Sequence, residues 1–428
     1  MIETIENAIK RLIKSNTVNA LIIVFAENFF SKGINFVLAL IVARTLGPHE
    51  YGVYALITVS VIFLSMLLDL SMVNPVIRFS SKNPEKKEGL FGVYFLIKTV
   101  LLLVVGLIVW FYPQSLGILL RKPQIEKYIF IILAGCAIES YQLVITTYLQ
   151  SLERYILRAM INVGVLLFRL VLILLLLKTQ LYNVRIIALC FALGGMPFLM
   201  YFTPTIFTFL KKRNLNKIKY PFLKEISHYA KWIFLGSVAT NVMTRLDFYI
   251  VASMLTFREA GLYQAAFQLV APFVILRIVF STVFLPKVTK YNRAFQFKNY
   301  FKKVFTMGAC ITLIILLIIP FSERIIVMIF GNSFIEASII LRILLISFLF
   351  SICNVMIGQI FYSLGHSKYM SIGAYWQLAI FVLVSLFLIP KLGMKGAAIS
   401  KLIAAVSYLV IVVYFYKTII CKEIRALT

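Results

Sequence analysis

Long apolar stretches separated by short charged intervals run the length of the chain. Twelve windows stand out, at 18–43, 52–72, 91–112, 128–150, 159–178, 186–210, 232–255, 260–285, 304–322, 339–364, 369–389 and 396–416. About 20 apolar residues are enough for a helix to cross a bilayer. Only helices satisfy the backbone polar groups over spans this apolar, so the pattern predicts an all-α polytopic membrane protein of twelve transmembrane helices. A nine-residue motif divides the twelve. Leu46-x-x-x-Glu50-x-Gly52-x-Tyr54 returns 209 residues later as Leu255-x-x-x-Glu259-x-Gly261-x-Tyr263, and each copy joins two apolar windows. The offset is close to half the chain and predicts two tandem lobes of six helices, 18–210 and 232–416. The linker 211–231 joins them and the tail 417–428 follows. A doubled membrane bundle is the build of a transporter.

Polar positions repeat with the same offset. Asn28, Ser31, Lys32 and Asn35 fall on one helical face, and 209 residues on stand Ser237, Thr240, Asn241 and Thr244. Such a stripe either lines an aqueous path or supplies hydrogen bonds between helices. Its recurrence in both halves, and the cost of burying Lys32 merely as a contact residue, favour the path.

Composition sharpens the class. Hydrophobic residues are 61% of the chain, mean hydropathy is +0.95 and the formal net charge is +27. That charge is sorted by side rather than gathered for nucleic acid. With the N-terminus inside, 26 of the 43 Lys and Arg fall in inner segments, and 10 lie in outer segments or at the outer edge of a span. The positive-inside bias places both termini in the cytoplasm, with basic segments against anionic lipid headgroups. Residues 1–17 lack the apolar core of a signal peptide. There Ile2, Ile5, Ile9 and Leu12 oppose Lys10, Arg11 and Lys14, as in a short amphipathic helix on the inner membrane surface. Pro286 to Lys303 has a similar mix and the same expected placement. The five cysteines and three histidines form no metal or disulfide pattern, and no nucleotide-binding loop is present. The longest outer loops, 113–127 and 323–338, are short for a catalytic domain. A transporter without catalytic residues or cofactor is expected.

The informative residues are ionisable groups inside the windows: Glu27, Lys32, Asp69, Lys98, Glu139, Arg169, Arg245, Asp247, Arg277, Arg342 and Lys401. A charge at mid-bilayer costs on the order of 3 kcal/mol, so such groups face protein or water. Lys98, Arg342 and Lys401 lie near window edges and are expected to extend to the headgroups. Glu139 shares a face with Gln142, Thr146 and Gln150, and Arg169 shares one with Asn162 and Arg158. A hairpin of these helices sets Glu139 and Arg169 at matching depth for a pair. Arg245 continues the second stripe from Asn241, whereas Asp247, two residues on, faces elsewhere. Arg277 lies off the face of Gln264 and Gln268. Seven basic residues against four acidic ones favour an anionic passenger such as a phosphate or pyrophosphate.

The segment Ala43-Arg44-Thr45-Leu46-Gly47-Pro48-His49-Glu50-Tyr51-Gly52-Val53-Tyr54 resembles the first outer turn of the Wzx-type polysaccharide-biosynthesis flippases. These belong to the multidrug/oligosaccharidyl-lipid/polysaccharide exporter superfamily. Leu67-Leu68-Asp69-Leu70 with Arg78, Gly261 to Ala266, Tyr362 to Lys368, and Gly393-x-x-Gly396-Ala397-Ala398 extend the resemblance over nearly the whole chain. Ser71 stands where glycine is common after the Asp-Leu pair. The resemblance implies a V-shaped pair of six-helix lobes around a central cavity in a bacterial inner membrane. It implies a polyprenyl-pyrophosphate-linked oligosaccharide flipped to the outer leaflet by alternating access, for O-antigen, capsule or similar synthesis. Polymerase and chain-length proteins of the same pathway are the partners it brings. In that frame Lys32, Arg169, Arg245, Arg277, Asn28, Asn35 and Asn241 are candidate substrate contacts. Glu27, Asp69, Glu139 and Asp247 are candidates for coupling to H+ or Na+. A drug/cation antiporter of the same superfamily and a membrane-embedded glycan polymerase or glycosyltransferase are the alternatives, and the cation-rich spans count against the antiporter.

Overall fold

A computed structural model describes residues 16–119, 121–179, 182–211, 242, 245–273, 276, 277, 280, 284, 288, 291 and 293–425. Every regular element among them is helical, and eight helices are long and apolar enough to cross a membrane. The protein is therefore an integral all-α membrane protein. Residues 1–15 of the expected surface helix, most of the linker 211–231 and parts of the windows 232–255 and 260–285 lie outside the described residues, as do several positions between Pro286 and Lys303.

Two of the long helices each run through two predicted windows. Helix α1 (Asn16–Leu67) is broken at Gly47, whose φ of 73° is followed by Pro48. Proline suits the first position of the resumed helix because it has no N–H to leave unpaired. The 49-residue helix Ser367–Phe415 is broken in the same manner at Gly393, φ 58°. Both breaks use the left-handed region that glycine enters without steric cost.

The chain divides into two compact units, one of residues 1–42 with 56–237 and the other of 43–55 with 238–428. In the first, α2 (Val73–Lys82) is a short amphipathic helix, and α3 (Lys87–Phe111), α4 (Ile129–Ser151) and α5 (Tyr155–Lys178) are long. Val76 and Phe79 of α2 pack with Leu90, Phe91 and Tyr94 of α3, Val144 of α4 and Phe209. The other side of α3 exposes Leu103, Trp110 and Phe111. A bilayer is as apolar as these side chains and offers no reason to hide them.

In the second unit α6 (Phe257–Val270), α7 (Ala294–Ile318), α8 (Ser322–Phe330), α9 (Ala337–Ser363) and α10 (Ser367–Phe415) follow in order. Small residues on α10, Ala397, Ala398, Ala404 and Ala405, are buried and permit close approach of α9. Across this contact Ser347 donates to the Lys401 carbonyl at 3.4 Å and Asn354 to the Ala405 carbonyl at 3.3 Å.

Candidate functional site

The first unit gathers its polar side chains on α1, α4 and α5. Glu27, 6% exposed, accepts a hydrogen bond from the Asn162 amide at 2.6 Å and lies 3.7 Å from the Arg158 guanidinium. Arg158 also donates to Gln150 at 3.1 Å, and the Gln142 amide donates to Asn162 at 3.4 Å. Periodicity sets this arrangement up: Gln142 and Gln150 share a face of α4, Arg158 and Asn162 share one of α5, and the faces meet beside Glu27. One oxygen of Glu27 and the carbonyl oxygen of Gln142 are buried with no hydrogen-bond partner among the described residues.

Further along the same two helices, Arg169 donates to Glu139 at 2.6 Å. Its guanidinium lies 4.1 Å from the centre of the Phe191 ring and the residue is 4% exposed. The pair expected from matching depth is therefore present.

At the end of α1 the Asp69 carboxylate accepts from the Tyr94 hydroxyl and lies 2.9 Å from the Lys98 ammonium. Leu70 and Ser71, with φ of 48° and 55°, turn the chain directly after Asp69. That conformation explains why glycine suits the position that Ser71 holds here. Lys98 has no exposed surface, which corrects the expectation that it extends to the headgroups. Its four-carbon stem runs into the unit because a carboxylate and the Tyr94 ring await it there, the ring at 5.2 Å.

The second unit repeats this chemistry with different elements. Asp247 accepts from the Phe248 amide at 2.9 Å, the Tyr263 hydroxyl at 3.2 Å and the Lys401 ammonium. Lys401 also sits 4.6 Å from the centre of the Phe267 ring. It too is corrected from a headgroup-directed lysine to one turned inward. Arg342, by contrast, stays partly exposed at 3.9 Å from Glu323.

The remaining candidates are more open. Lys32 is exposed, Asn35 half-buried, and Asn28 donates back to the Val24 carbonyl at 2.7 Å. Arg245 is half-buried and Arg277 exposed, and neither makes an ion pair among the described residues. Among the described residues, Tyr408 and Tyr362 are polar neighbours of Arg277. Asn241 and its companions Ser237, Thr240 and Thr244 lie outside the described residues. Tyr94 and Tyr263 are partners that the sequence reading missed. Tyr94 stands four residues before Lys98, on one face of its helix, and that spacing was the available signal.

Comparison with known proteins places the chain. A Shigella flexneri protein described as an O-antigen transporter is 23% identical over 183 residues, which span 42% of this chain and 44% of that relative's length. Among solved structures, the lipid II flippase MurJ in an inward closed conformation matches 95% of this chain and 90% of its own, with a TM-score of 0.73 at 17% identity. An inward-facing multidrug resistance MATE transporter of the MOP superfamily matches 93% of this chain and 95% of its own, at 0.72 and 13%. The fold is thus shared with these two membrane proteins. The profile of the polysaccharide biosynthesis proteins matches residues 41–339. That is well over half of the sequence, and the chain belongs to this family.

Proposed function

We propose that the protein is a flippase that carries a polyprenyl-pyrophosphate-linked oligosaccharide from the cytoplasmic to the outer leaflet of a bacterial inner membrane. In this reading twelve helices form two six-helix lobes that work by alternating access, with both termini cytoplasmic. The product feeds polymerase and chain-length proteins that build O-antigen, capsule or a similar polymer.

The observation that carries the reading is a charge imbalance. Each carboxylate within the spans has a basic neighbour: Glu27 has Arg158, Asp69 has Lys98, Glu139 has Arg169 and Asp247 has Lys401. Arg245 and Arg277 make no ion pair among the described residues, and Asp247, the carboxylate that attracts Arg245, is already held by Lys401. An anionic passenger supplies a counterion, and arginine's fork of donors suits a phosphate. Lys32, Asn28 and Asn35 of the first unit, and Asn241, which lies outside the described residues, are the further candidate contacts. The likeness to MATE transporters supports the second reading, a drug/cation antiporter, through fold alone, and a cationic passenger would leave the arginines uncompensated.

The test is purified protein in vesicles carrying a fluorescent lipid-linked oligosaccharide. Flipping is expected, whereas export of cationic dyes without flipping would establish the antiporter instead. Arg245→Ala and Arg277→Ala are each expected to reduce flipping at least about tenfold, the lower end for losing a hydrogen bond to a charged group, with membrane protein level unchanged. If both variants flip as wild type does, these arginines do not receive the passenger.

Coupling to a proton or sodium gradient is assigned to Glu27. Asp69, Glu139 and Asp247 each touch a lysine or arginine directly. Glu27 lies 3.7 Å from its cation and keeps one oxygen with no hydrogen-bond partner among the described residues.

A further inference from the structure

Helix α9 ends in the motif Tyr362-Ser363-Leu364-Gly365-His366-Ser367-Lys368. The His366 amide donates to the Phe361 carbonyl at 2.8 Å and the Gly365 amide to the Tyr362 carbonyl at 3.4 Å. Gly365, at φ 81°, takes the left-handed conformation that this double closure of a helix end requires. The last turn of α9 is thereby fixed, and Tyr362 on it is 49% exposed.

Two polar side chains of the same unit stand near the Tyr362 ring. Arg277, exposed, and Tyr408, half-buried, interact with it electrostatically and with each other. Helix α10 doubles back after its break at Gly393, so Tyr408 returns to the start of that helix, where its hydroxyl donates to the Met370 carbonyl at 3.4 Å. A methyl group placed on Gly373 would strike the Tyr408 ring. One on Gly358 of α9 would come within 2.8 Å of the Met370 terminal methyl and 3.8 Å of the Tyr362 ring. Two absent side chains therefore make the room in which Met370 and Tyr408 are seated.

The exposed Leu383 and Phe387 of α10 suit lipid tails. Tyr362 and Arg277 do not, because a tail offers no acceptor to a phenol or a guanidinium, and a charge against it is costly. An open ring beside a cation matches a ligand that is apolar on one face and anionic next to it. A sugar joined to phosphate is such a ligand. A pyranose presents a face of C–H groups to the electron-rich face of an aromatic ring. The phosphate at its anomeric carbon supplies the acceptors that arginine's fork takes.

We propose that Tyr362 is the platform for the sugar that carries the pyrophosphate, stacking on its apolar face while Arg277 holds the adjoining phosphate. The assignment rests on the flippase reading above. It makes Tyr362 a residue that reads the first sugar of the passenger, whereas a bare pyrophosphate gains from Arg277 alone.

The experiment titrates purified protein in phosphatidylcholine nanodiscs with farnesyl pyrophosphate and with the same lipid bearing glucose, galactose or N-acetylglucosamine. Wild type is expected to bind at least one sugar-bearing compound about fivefold more tightly than farnesyl pyrophosphate, the scale of one aromatic contact. Tyr362→Leu and Tyr362→Gln are expected to lose that preference and to keep the affinity for farnesyl pyrophosphate within about twofold, which also reports that they are folded. Tyr362→Phe keeps the ring and is expected to keep the preference. Arg277→Ala is expected to weaken all four compounds alike. Three results overturn the platform: no preference in wild type, a preference that survives in a folded Tyr362→Leu or Tyr362→Gln, or one lost in Tyr362→Phe as fully as in Tyr362→Leu. Phosphatidylglycerol that displaces farnesyl pyrophosphate at comparable concentration assigns the cluster to a phospholipid headgroup and overturns it as well. Failure to bind any of the pyrophosphates sinks the flippase reading itself, whereas binding that is indifferent to Tyr362 sinks only the platform.

Discussion

Glu27→Gln is expected to abolish gradient-driven flipping in reconstituted vesicles while binding of the lipid-linked oligosaccharide stays within about twofold of wild type. Glutamine matches glutamate in shape, and its carbonyl still accepts from Asn162, which now holds Glu27 at 2.6 Å. Arg158 loses a partner 3.7 Å away but keeps Gln150. The fold therefore has little reason to suffer, and what disappears is a carboxylate able to take up a cation and release it. The control is Glu139→Gln. There Arg169, 4% exposed, would lose a charge-assisted hydrogen bond of 2.6 Å, and leaving a buried cation uncompensated is costly. That variant is expected to lower the yield of folded protein, a loss that Glu27→Gln does not share. Undiminished gradient-driven transport by Glu27→Gln would make Glu27 a structural residue and pass the coupling role to Asp69, Glu139 or Asp247.

What the sequence made legible follows from the range of each interaction. Apolar windows were readable because a bilayer imposes the same demand on every span, whatever packs against it. The Glu139–Arg169 pair was readable because its helices are consecutive and a hairpin fixes their relative depth. Lys98 was misread for a physical reason. Nearness to a window edge tells how far a headgroup is, but not whether a carboxylate waits on the inner side, and a flexible stem reaches either. Asp247 and Lys401 are 154 residues apart, and Glu27 and Asn162 are 135 apart. No local period encodes pairings of that length. The recurrent motif was conspicuous in sequence, yet the contact between its copies, with no room for a Cβ between Gly52 and the Phe257 carbonyl or between Gly261 and the Pro48 carbonyl, was not, because a glycine that allows close approach looks the same as one that allows a turn.

The buried lysines give the largest expected effect on stability. Lys98→Ala would leave the Asp69 carboxylate with the Tyr94 hydroxyl and no cation. Removing one partner of a buried ion pair costs about 3–5 kcal/mol, a large part of the roughly 5–15 kcal/mol that holds a typical domain together. The folded fraction in detergent and the Tm are both expected to drop sharply. Lys401→Ala is expected to cost less, although the chemistry is the same. The Lys401 side chain is 22% exposed against 0% for Lys98, and Asp247 keeps both the Tyr263 hydroxyl and the Phe248 amide. Solvent and hydrogen bonds soften the loss of its cation. The double variant Asp69→Asn/Lys98→Met removes both charges and keeps the volume, so it is expected to recover most of the stability lost in Lys98→Ala. Thermal unfolding of the three variants beside wild type decides the matter. If the double variant is no more stable than Lys98→Ala, the uncompensated Asp69 charge is not what destabilises that variant and the prediction fails.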